Sequence, residues 1–307
     1  MKPDPSARRV IPIQPIGTAL PGFQPPQRLQ PRATQGRYTR LRWLFVLLTQ
    51  GFFFGVPWLQ VDGRQALLFY LEKQRFDVFG LVLWPQDLVY LTGLLVASAL
   101  LLFLATTLAG RVWCGFACPQ TVYTQVFLWV ERRFEGDRMA RLRLDAAPWS
   151  MNKLKRRGGK HLAWIGLSLW TGFTFTGYFT PIRELAGSVP AGTIGPWDLF
   201  WILFYALATW GNAGWLREKV CLHMCPYARF QGSLMDAHSL VVGYDAARGE
   251  PRRQREAVEA GRASGACIDC TLCVQVCPVG IDIRDGLQYE CIGCGVCIDA
   301  CDQVMDR

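Results

Sequence analysis

Four long apolar stretches constrain this chain more than any other feature of its sequence. They cover residues 41–61, 88–108, 161–180 and 197–216, and the second runs for 21 residues without a charge. A helix needs about 20 residues to cross a hydrocarbon core roughly 30 Å thick. Four buried helices of this length would be unusual in a soluble protein. The sequence therefore predicts an α-helical polytopic membrane protein with about four transmembrane helices.

The Lys and Arg residues between these stretches predict their orientation. Residues 109–160 hold eleven of them, whereas 62–87 hold three and 181–196 hold one. Because cytoplasmic loops are enriched in Lys and Arg, we expect the 109–160 loop and both termini to be cytoplasmic. The net charge of +9 is then explained by topology, and binding of nucleic acid is not expected.

Composition divides the rest of the chain. Residues 1–40 contain eight prolines, seven basic residues and one acid, which is typical of a disordered basic tail. Residues 41–235 form the predicted membrane domain, and 236–266 are polar and read as a linker. Residues 267–307 form a compact Cys-rich module.

Eight of the twelve cysteines lie in this last segment, in two runs with the spacing of a bacterial two-cluster ferredoxin. The runs are Cys267, Cys270, Cys273, Cys277 and Cys291, Cys294, Cys297, Cys301. In that pattern the fourth cysteine of each run ligates the cluster of the other run. We therefore predict a first quartet of Cys267, Cys270, Cys273 and Cys301, and a second quartet of Cys291, Cys294, Cys297 and Cys277.

Each quartet is expected to hold one 4Fe-4S cluster, in an α+β ferredoxin-like fold that we call the ferredoxin module. Zinc is the alternative, but it favours pairs of cysteines rather than two complete runs. Disulfides are not expected on the reducing side of a membrane. The second run ends in Cys301-Asp302 instead of Cys-Pro, which affects the turn rather than the ligands.

The other four cysteines form two Cys-x3-Cys-Pro motifs, and we call them the membrane-edge cysteines. They are Cys114, Cys118, Cys221 and Cys225, and each pair follows an apolar stretch. The two motifs are 107 residues apart, which suggests a diverged internal repeat. An i, i+4 spacing predicts that both sulfurs of a pair share one helical face. There they could bind a soft metal such as Cu(I), zinc or an iron–sulfur centre, or act only as small buried thiols.

The three histidines give little support for another metal site. His161 begins the third apolar stretch, His223 lies inside the second cysteine motif, and His238 follows it. No two are placed to ligate a haem across helices. His223 and Met224 could assist copper binding, although local structural roles are expected.

Several strings resemble one family. They are GRVWCGFACPQ at 110–120, DAAPW at 145–149, GFTFTGYF at 172–179, CLHMCPYARFQ at 221–231 and GIDIRDGLQYE at 280–290. Together they are similar to the CcoG, FixG and RdxA cytochrome oxidase accessory proteins. The resemblance extends from about Gly36 to Arg307.

This resemblance implies a multi-pass protein of the bacterial inner membrane that carries two 4Fe-4S clusters. It implies that the membrane-edge cysteines handle copper and reduce Cu(II) to Cu(I). The implied partners are copper-delivery and cbb-type oxidase assembly proteins, with an unknown cytoplasmic electron donor. Family members typically continue with another membrane helix and a periplasmic domain, and we expect both to be missing here.

Two other functions remain open. The chain could be an electron-transfer subunit between the quinol pool and a respiratory partner, without a metal substrate. It could also be a copper-binding assembly scaffold whose clusters are structural.

Overall fold

The computed structural model describes residues 29–236, 238–252 and 264–306. In chain order its α-helices are α1 (Arg37–Gly55), α2 (Leu88–Ala109), α3 (Val112–Phe116), α4 (Pro119–Glu135), α5 (Arg138–Ala146), α6 (Met151–Thr176), α7 (Ile182–Ala191), α8 (Pro196–Thr209), α9 (Pro226–Leu234), α10 (Ala246–Gly249), α11 (Leu272–Gln275) and α12 (Val296–Met305). Two π-helical segments, Trp210–Leu216 and Val220–Met224, connect α8 to α9.

Three helical segments among the described residues are long and apolar enough to cross a membrane. They are Arg37–Trp58, Pro85–Ala109 and Pro196–Leu216. They contain all of the second and fourth predicted stretches, and the first stretch as far as residue 58. The third stretch, 161–180, does not form such a segment: residues 161–176 lie in α6, and residues 177–180 follow the end of the helix. Helix α6 begins at Met151, carries five Lys and Arg residues before His161 and ends at Thr176, so its apolar part is shorter than predicted.

Helix α6 is the centre of the bundle and packs along both α4 and α8. Trp164 on α6 is fully buried, and its ring stacks on Phe127 of α4 at a centroid distance of 5.3 Å. Its indole N–H donates to the Phe127 carbonyl. Gly172 lies where α6 meets α8, and a methyl group there would overlap the carbonyl oxygen of Ile202. A residue without a side chain therefore allows the two helices to approach closely.

A small antiparallel sheet that the sequence did not predict lies between α1 and α2. Strands β1 (Gln60–Val61) and β2 (Arg64–Gln65) form a hairpin, and β3 (Leu67–Tyr70), β4 (Arg75–Val78) and β5 (Leu81–Leu83) form a meander. The hairpin turn is Asp62-Gly63, both with positive φ, as a type I′ turn requires. The Phe69 amide donates to the Tyr178 carbonyl, which attaches the sheet to the end of α6.

The ferredoxin module differs from the α+β prediction. Its described residues form α11, a 3-10 turn (Ile283–Asp285) and α12, joined by extended loops without a paired strand. The connection between the two cysteine runs packs against the membrane domain instead. For example, the Tyr289 hydroxyl donates to the carbonyl of Arg229.

The N-terminal tail was predicted to be disordered over residues 1–40, and this is wrong for residues 29–40. Helix α1 begins at Arg37, and the Arg32 amide donates to the Gln275 carbonyl in the ferredoxin module at 2.8 Å. These contacts offset the entropy cost of ordering the segment. Residues 1–28 of the tail and residues 253–263 of the predicted linker lie outside the described residues.

Candidate metal and redox site

The two Cys-x3-Cys-Pro motifs have the same local structure. In each, a short helical turn ends before the second cysteine, which is the N-cap of the next helix. Cys118 precedes α4 and Cys225 precedes α9, and a proline is the first residue of both helices. Proline suits this position because its missing N–H would have no helical partner there.

This arrangement contradicts the prediction that each pair shares one helical face. Helix α3 contains Cys114 but ends at Phe116, and Cys118 has extended backbone angles, φ −59° and ψ 128°. Cys225 likewise is extended, with φ −81° and ψ 111°. Proline disfavours helical angles in the residue before it, so the Cys-Pro step itself prevents a continuous helix.

The two motifs are held together by hydrogen bonds that run in both directions between them. Gln120, near the start of α4, donates to the carbonyls of Asn212 and Arg217, which precede the second motif, each at 3.0 Å. Helix α9, which follows the second motif, contacts the first motif and the end of α2. The Tyr227 hydroxyl lies 2.9 Å from the Thr106 hydroxyl of α2, and the Cys114 thiol donates to Gln231 Oε1 at 3.2 Å. Each Pro-started helix therefore contacts the segment that precedes the other cysteine pair.

All four membrane-edge cysteines lie close enough to influence one another. Burial raises the pKa of Cys114 to about 12, and the charges of Cys118, Cys221 and Cys225 add to the rise. Burial also raises the pKa of Cys221 to about 11, again with a contribution from Cys118. The structure thus brings together two pairs that are more than a hundred residues apart in the sequence.

The ferredoxin module docks directly on the first of these motifs. Cys114 packs against the hydrophobic core of the module, which includes Ile292 and Cys294. Gly115 allows this approach, since a Cβ there would lie 2.8 Å from the Ile292 carbonyl oxygen and 3.1 Å from Cys294 Cα. The second quartet is therefore the one that faces the membrane-edge cysteines.

The module cysteines line two neighbouring cavities. The first is about 390 Å³ in volume and is lined by all of the first quartet, Cys267, Cys270, Cys273 and Cys301. The second is about 20 Å³ and is lined by all of the second quartet, Cys277, Cys291, Cys294 and Cys297. Cys273 and Cys297 line both cavities, so the quartets are adjacent. The second cavity has to widen to accept a cluster, and ligation by either quartet stays a prediction.

Within the described residues, no three His, Cys, Asp or Glu side chains converge closely enough to hold one metal ion. A tetrahedral zinc site would need thiolates about 2.3 Å from a single point. In a 4Fe-4S cluster each of four irons takes one thiolate, so the sulfurs surround a cavity. The donor set and the two cavities fit clusters better than zinc. The membrane-edge cysteines likewise are neighbours but not a closed four-ligand site.

Arg111 lies between the two groups of cysteines and was not identified from the sequence. Its guanidinium is 4.8 Å from the centroid of the Tyr289 ring and donates to the Ala228 carbonyl. Its positive charge opposes the rise that burial causes in the pKa values of Cys114, Cys221 and Cys291. One buried cation thus acts on the first motif, the second motif and the second quartet.

A buried ion cluster beside the second motif was also missed. Glu131 accepts from Arg141 at 3.0 Å and from Arg217 at 2.9 Å, and Lys160 lies 3.6 Å from Glu131 and 2.6 Å from Glu135. All of these side chains are at most 6% exposed. From the sequence, these basic residues were attributed to topology.

Arg217 links this cluster to the cysteines. Its φ is positive, at 44° with ψ −113°, which is unfavourable for a residue other than glycine. Its guanidinium is held by Glu131 and the Gly214 carbonyl, and its own carbonyl accepts from Gln120. The turn that leads to Cys221 is therefore fixed by buried polar contacts.

The histidines occupy separate places. His161 packs among tryptophans, with its ring stacked on Trp215 at 5.8 Å, whereas His223 and His238 are exposed. The described structure does not bring them together.

Comparison with known proteins adds to this geometry. A family model described as a 4Fe-4S dicluster domain matches residues 216–307, and one described as a 4Fe-4S binding domain matches residues 91–135. The second match contains Cys114 and Cys118. The chain is 44% identical over 294 residues to the nitrogen fixation protein FixG of Rhizobium meliloti, and 43% identical over 294 residues to the protein RdxA of Cereibacter sphaeroides. Both alignments cover 94% of this chain.

The similarity to FixG and RdxA over most of the chain is consistent with the FixG/RdxA family. This confirms the resemblance inferred from the sequence motifs, and it identifies an iron–sulfur protein of ferredoxin type with helices able to span a membrane. A more distant relative is the ferredoxin-type protein NapH of Haemophilus influenzae, at 23% identity over 67% of this chain and 65% of the relative. The chain spans 56% of the length of FixG and 61% of RdxA. No solved structure matches it significantly.

Proposed function

We propose that this protein transfers electrons from its ferredoxin module to the membrane-edge cysteines, where Cu(II) is reduced to Cu(I). The observation that carries the proposal is the packing of Cys114 into the core of the module, beside Cys294 of the second quartet. The other three membrane-edge cysteines are neighbours of Cys114. A redox module and a set of soft ligands are thus in direct contact.

When bound, the two 4Fe-4S clusters supply one-electron transfer. Cys267, Cys270, Cys273 and Cys301 would hold one cluster beside the larger cavity, where Cys270 and Cys301 are exposed. This face is accessible to an electron donor. Cys277, Cys291, Cys294 and Cys297 would hold the other against the membrane domain. Arg111 offsets negative charge on the thiolates around it.

Copper is the substrate in this proposal. Cu(II) accepts one electron to become Cu(I), and thiolates prefer Cu(I) to harder metal ions. The membrane-edge cysteines therefore favour the product of the reduction. Because they do not form a closed site for one ion, we expect a labile copper complex that involves movement of the thiols. Such a site suits transfer of copper to delivery proteins and to proteins that assemble a cbb-type oxidase.

We further propose that the module faces the cytoplasm of a bacterium, at the inner membrane. The N-terminus of α1 contacts the module, whereas its C-terminal end leads into the sheet. The module and the sheet therefore lie at opposite ends of α1. The Lys- and Arg-rich 109–160 segment contributes the module-facing motif, which supports a cytoplasmic position for that end under the positive-inside rule.

A second candidate is electron transfer without copper. The match of residues 91–135 to a 4Fe-4S binding domain includes the first membrane-edge pair, so these cysteines are also candidates for holding a third cluster. In that case the chain would pass electrons between two partners, and copper would be irrelevant.

An anaerobic experiment separates these functions. The purified protein is assayed for iron, its clusters are reduced, and Cu(II) is added with a chelator specific for Cu(I). The comparison is a variant with Cys114, Cys118, Cys221 and Cys225 all replaced by Ala. Copper reduction predicts about eight irons in both proteins, with cluster reoxidation and Cu(I) formation slowed at least tenfold in the variant.

Other outcomes exclude the proposal. About twelve irons in the unaltered protein and about eight in the variant would indicate a third cluster. Equal rates in the two proteins would show that copper is reduced elsewhere. Copper binding without cluster oxidation would indicate an assembly scaffold.

A further inference from the structure

A cavity of about 320 Å³ lies inside the helix bundle, separate from the cavities of the ferredoxin module. Helices α1, α4, α6 and α8 all contribute to its wall, and the described residues that line it are uncharged. Its volume is at the lower end of the range for small-molecule sites. Two of these helices, α1 and α8, lie within segments able to cross a membrane, so a ligand soluble in the bilayer suits its position.

The polar groups of the cavity call for a ligand that accepts hydrogen bonds. The Tyr123 hydroxyl is buried and makes no hydrogen bond of normal geometry, although the side chains of Gln50 and Thr171 lie close enough to interact with it. The Thr171 and Thr209 hydroxyls donate to carbonyls of their own helices, at 2.8 Å each. The Tyr123 hydroxyl, which makes no hydrogen bond of normal geometry, can therefore donate to a ligand oxygen, and the Gln50 amide beside it offers further donors. A buried hydroxyl without a partner is unfavourable, so a ligand oxygen would be stabilised here.

Aromatic side chains line the same cavity and favour binding of a flat ring. Phe53, Phe175 and Tyr205 contribute to its wall, and the rings of Phe175 and Tyr205 have centroids 3.9 Å apart. Aromatic faces favour offset stacking with planar groups. A lipid acyl chain would use the apolar wall but has no acceptor for the Tyr123 hydroxyl.

We propose that this cavity binds the headgroup of a quinone. A quinone is neutral, planar and soluble in the bilayer, and it carries two carbonyl acceptors, which matches the charge, shape and hydrogen-bonding capacity of the cavity. Ala117 and Pro119 also line the cavity, so the ring would lie beside Cys118. Binding at this site is independent of copper and therefore goes beyond the function proposed above.

The test uses the full chain in lipid nanodiscs and a radiolabelled benzoquinone with a single isoprenyl unit. Equilibrium dialysis is expected to show saturable binding of about one quinone per chain, above the partitioning into empty nanodiscs. Tyr123→Phe removes the hydroxyl while keeping the ring, and we expect it to weaken binding about three- to tenfold. Tyr90→Phe is the matched control because Tyr90 is 73% exposed on α2, and its binding is expected to be unchanged.

Gln50→Leu provides a second variant if Tyr123→Phe does not fold, as judged by gel filtration. It fills the same part of the cavity with an apolar side chain and is also expected to weaken binding. The proposal is overturned if binding does not exceed partitioning, or if Tyr123→Phe and Gln50→Leu both bind like Tyr90→Phe. It is also overturned if a phospholipid copurifies in the cavity and excess quinone does not displace it.

Discussion

At the scale of single residues, Gly115 determines how closely the first cysteine motif approaches the ferredoxin module. Its α-hydrogen side faces the backbone of Ile292 and Cys294, and these backbone atoms cannot move aside as a flexible side chain could. The glycine is therefore required by a contact between domains rather than by its own backbone angles.

We predict that Gly115→Ala weakens this docking by about 1–3 kcal/mol, the usual cost of overpacking. The measurement is thermal release of the module, followed through the visible absorbance of the clusters. Gly166→Ala is the control, since Gly166 lies within α6 and a Cβ there meets nothing within 4 Å. Equal melting of the two variants would contradict the close packing described for Gly115.

Glu131 is the residue on which the buried ion cluster depends, because it is shared by Arg141, Arg217 and Lys160. We predict that Glu131→Gln destabilises the protein by about 3–5 kcal/mol, since it leaves buried cations without their counter-charge. Thermal unfolding in detergent measures this effect. Glu72→Gln, at an exposed position, should change stability by less than about 0.5 kcal/mol; similar losses in both variants would mean that the cluster contributes nothing specific.

At the scale of secondary-structure elements, α1 obtains its N-terminal cap from a distant helix. No side chain near Gly36 caps α1. Instead, the buried carboxylate of Asp299 on α12 accepts from the amides of Tyr38 and Thr39, at 3.0 and 2.6 Å, and from the Thr39 hydroxyl at 2.7 Å. A carboxylate at a helix N-terminus also interacts favourably with the helix dipole.

Asp299→Ala is expected to fray the first turn of α1 at a cost of about 0.5–2 kcal/mol. Hydrogen exchange of the amides at residues 38–41 should become faster, as measured by mass spectrometry. Asp306→Ala, at the exposed C-terminal end of the same helix, is the matched control. Unchanged exchange in Asp299→Ala would show that the cap does not stabilise α1.

The elements that the sequence predicted well are those governed by local patterns. Apolar length located α1, α2 and the π-extended α8. The start of α6 was placed ten residues too late because the prediction followed hydrophobicity alone, whereas Ser150 caps the helix by accepting from the Lys153 amide at 3.2 Å. That capping signal was present in the sequence. The sheet after α1 was missed because its strands are only two to four residues long.

Contacts between residues far apart in the chain could not be predicted from a single sequence. Spacing divided the cysteines into two quartets and two pairs, but nothing in the spacing shows that Cys114 packs against Cys294. The burial of Arg111 and Glu131 could not be predicted either, since the sequence of a charged segment does not show which of its charged residues are solvated and which are buried. Arg111 binds the carbonyl of Ala228, 117 residues away, and Glu131 binds Arg217, 86 residues away.

At the scale of the whole molecule, the two quartets are unequal in position. The first lines an accessible cavity, and the second lies at the interface with the membrane domain. Since each quartet takes its fourth cysteine from the other run, a single substitution should remove one cluster and leave the other.

We predict that Cys301→Ser and Cys277→Ser each lose about four of about eight irons, but differ in their effect on the membrane domain. Only Cys277→Ser should loosen the docking of the module, because only its quartet borders Cys114. Iron analysis and electron paramagnetic resonance measure the first effect, and limited proteolysis measures the second. Loss of both clusters in each variant, or equal proteolysis, would contradict this assignment.

The hydrogen bonds between the first turn of α1 and Asp299 also determine when α1 can be completed during synthesis of the chain. A ribosome adds about 5–20 residues per second, so Thr39 is made roughly 10–50 s before the carboxylate that caps it, which lies 260 residues later in the chain. During that interval the first turn of α1 has no partner. The earliest described helix is therefore completed only after the last one has been translated and folded, and a nascent chain that fails to form the ferredoxin module leaves the start of α1 open to proteases.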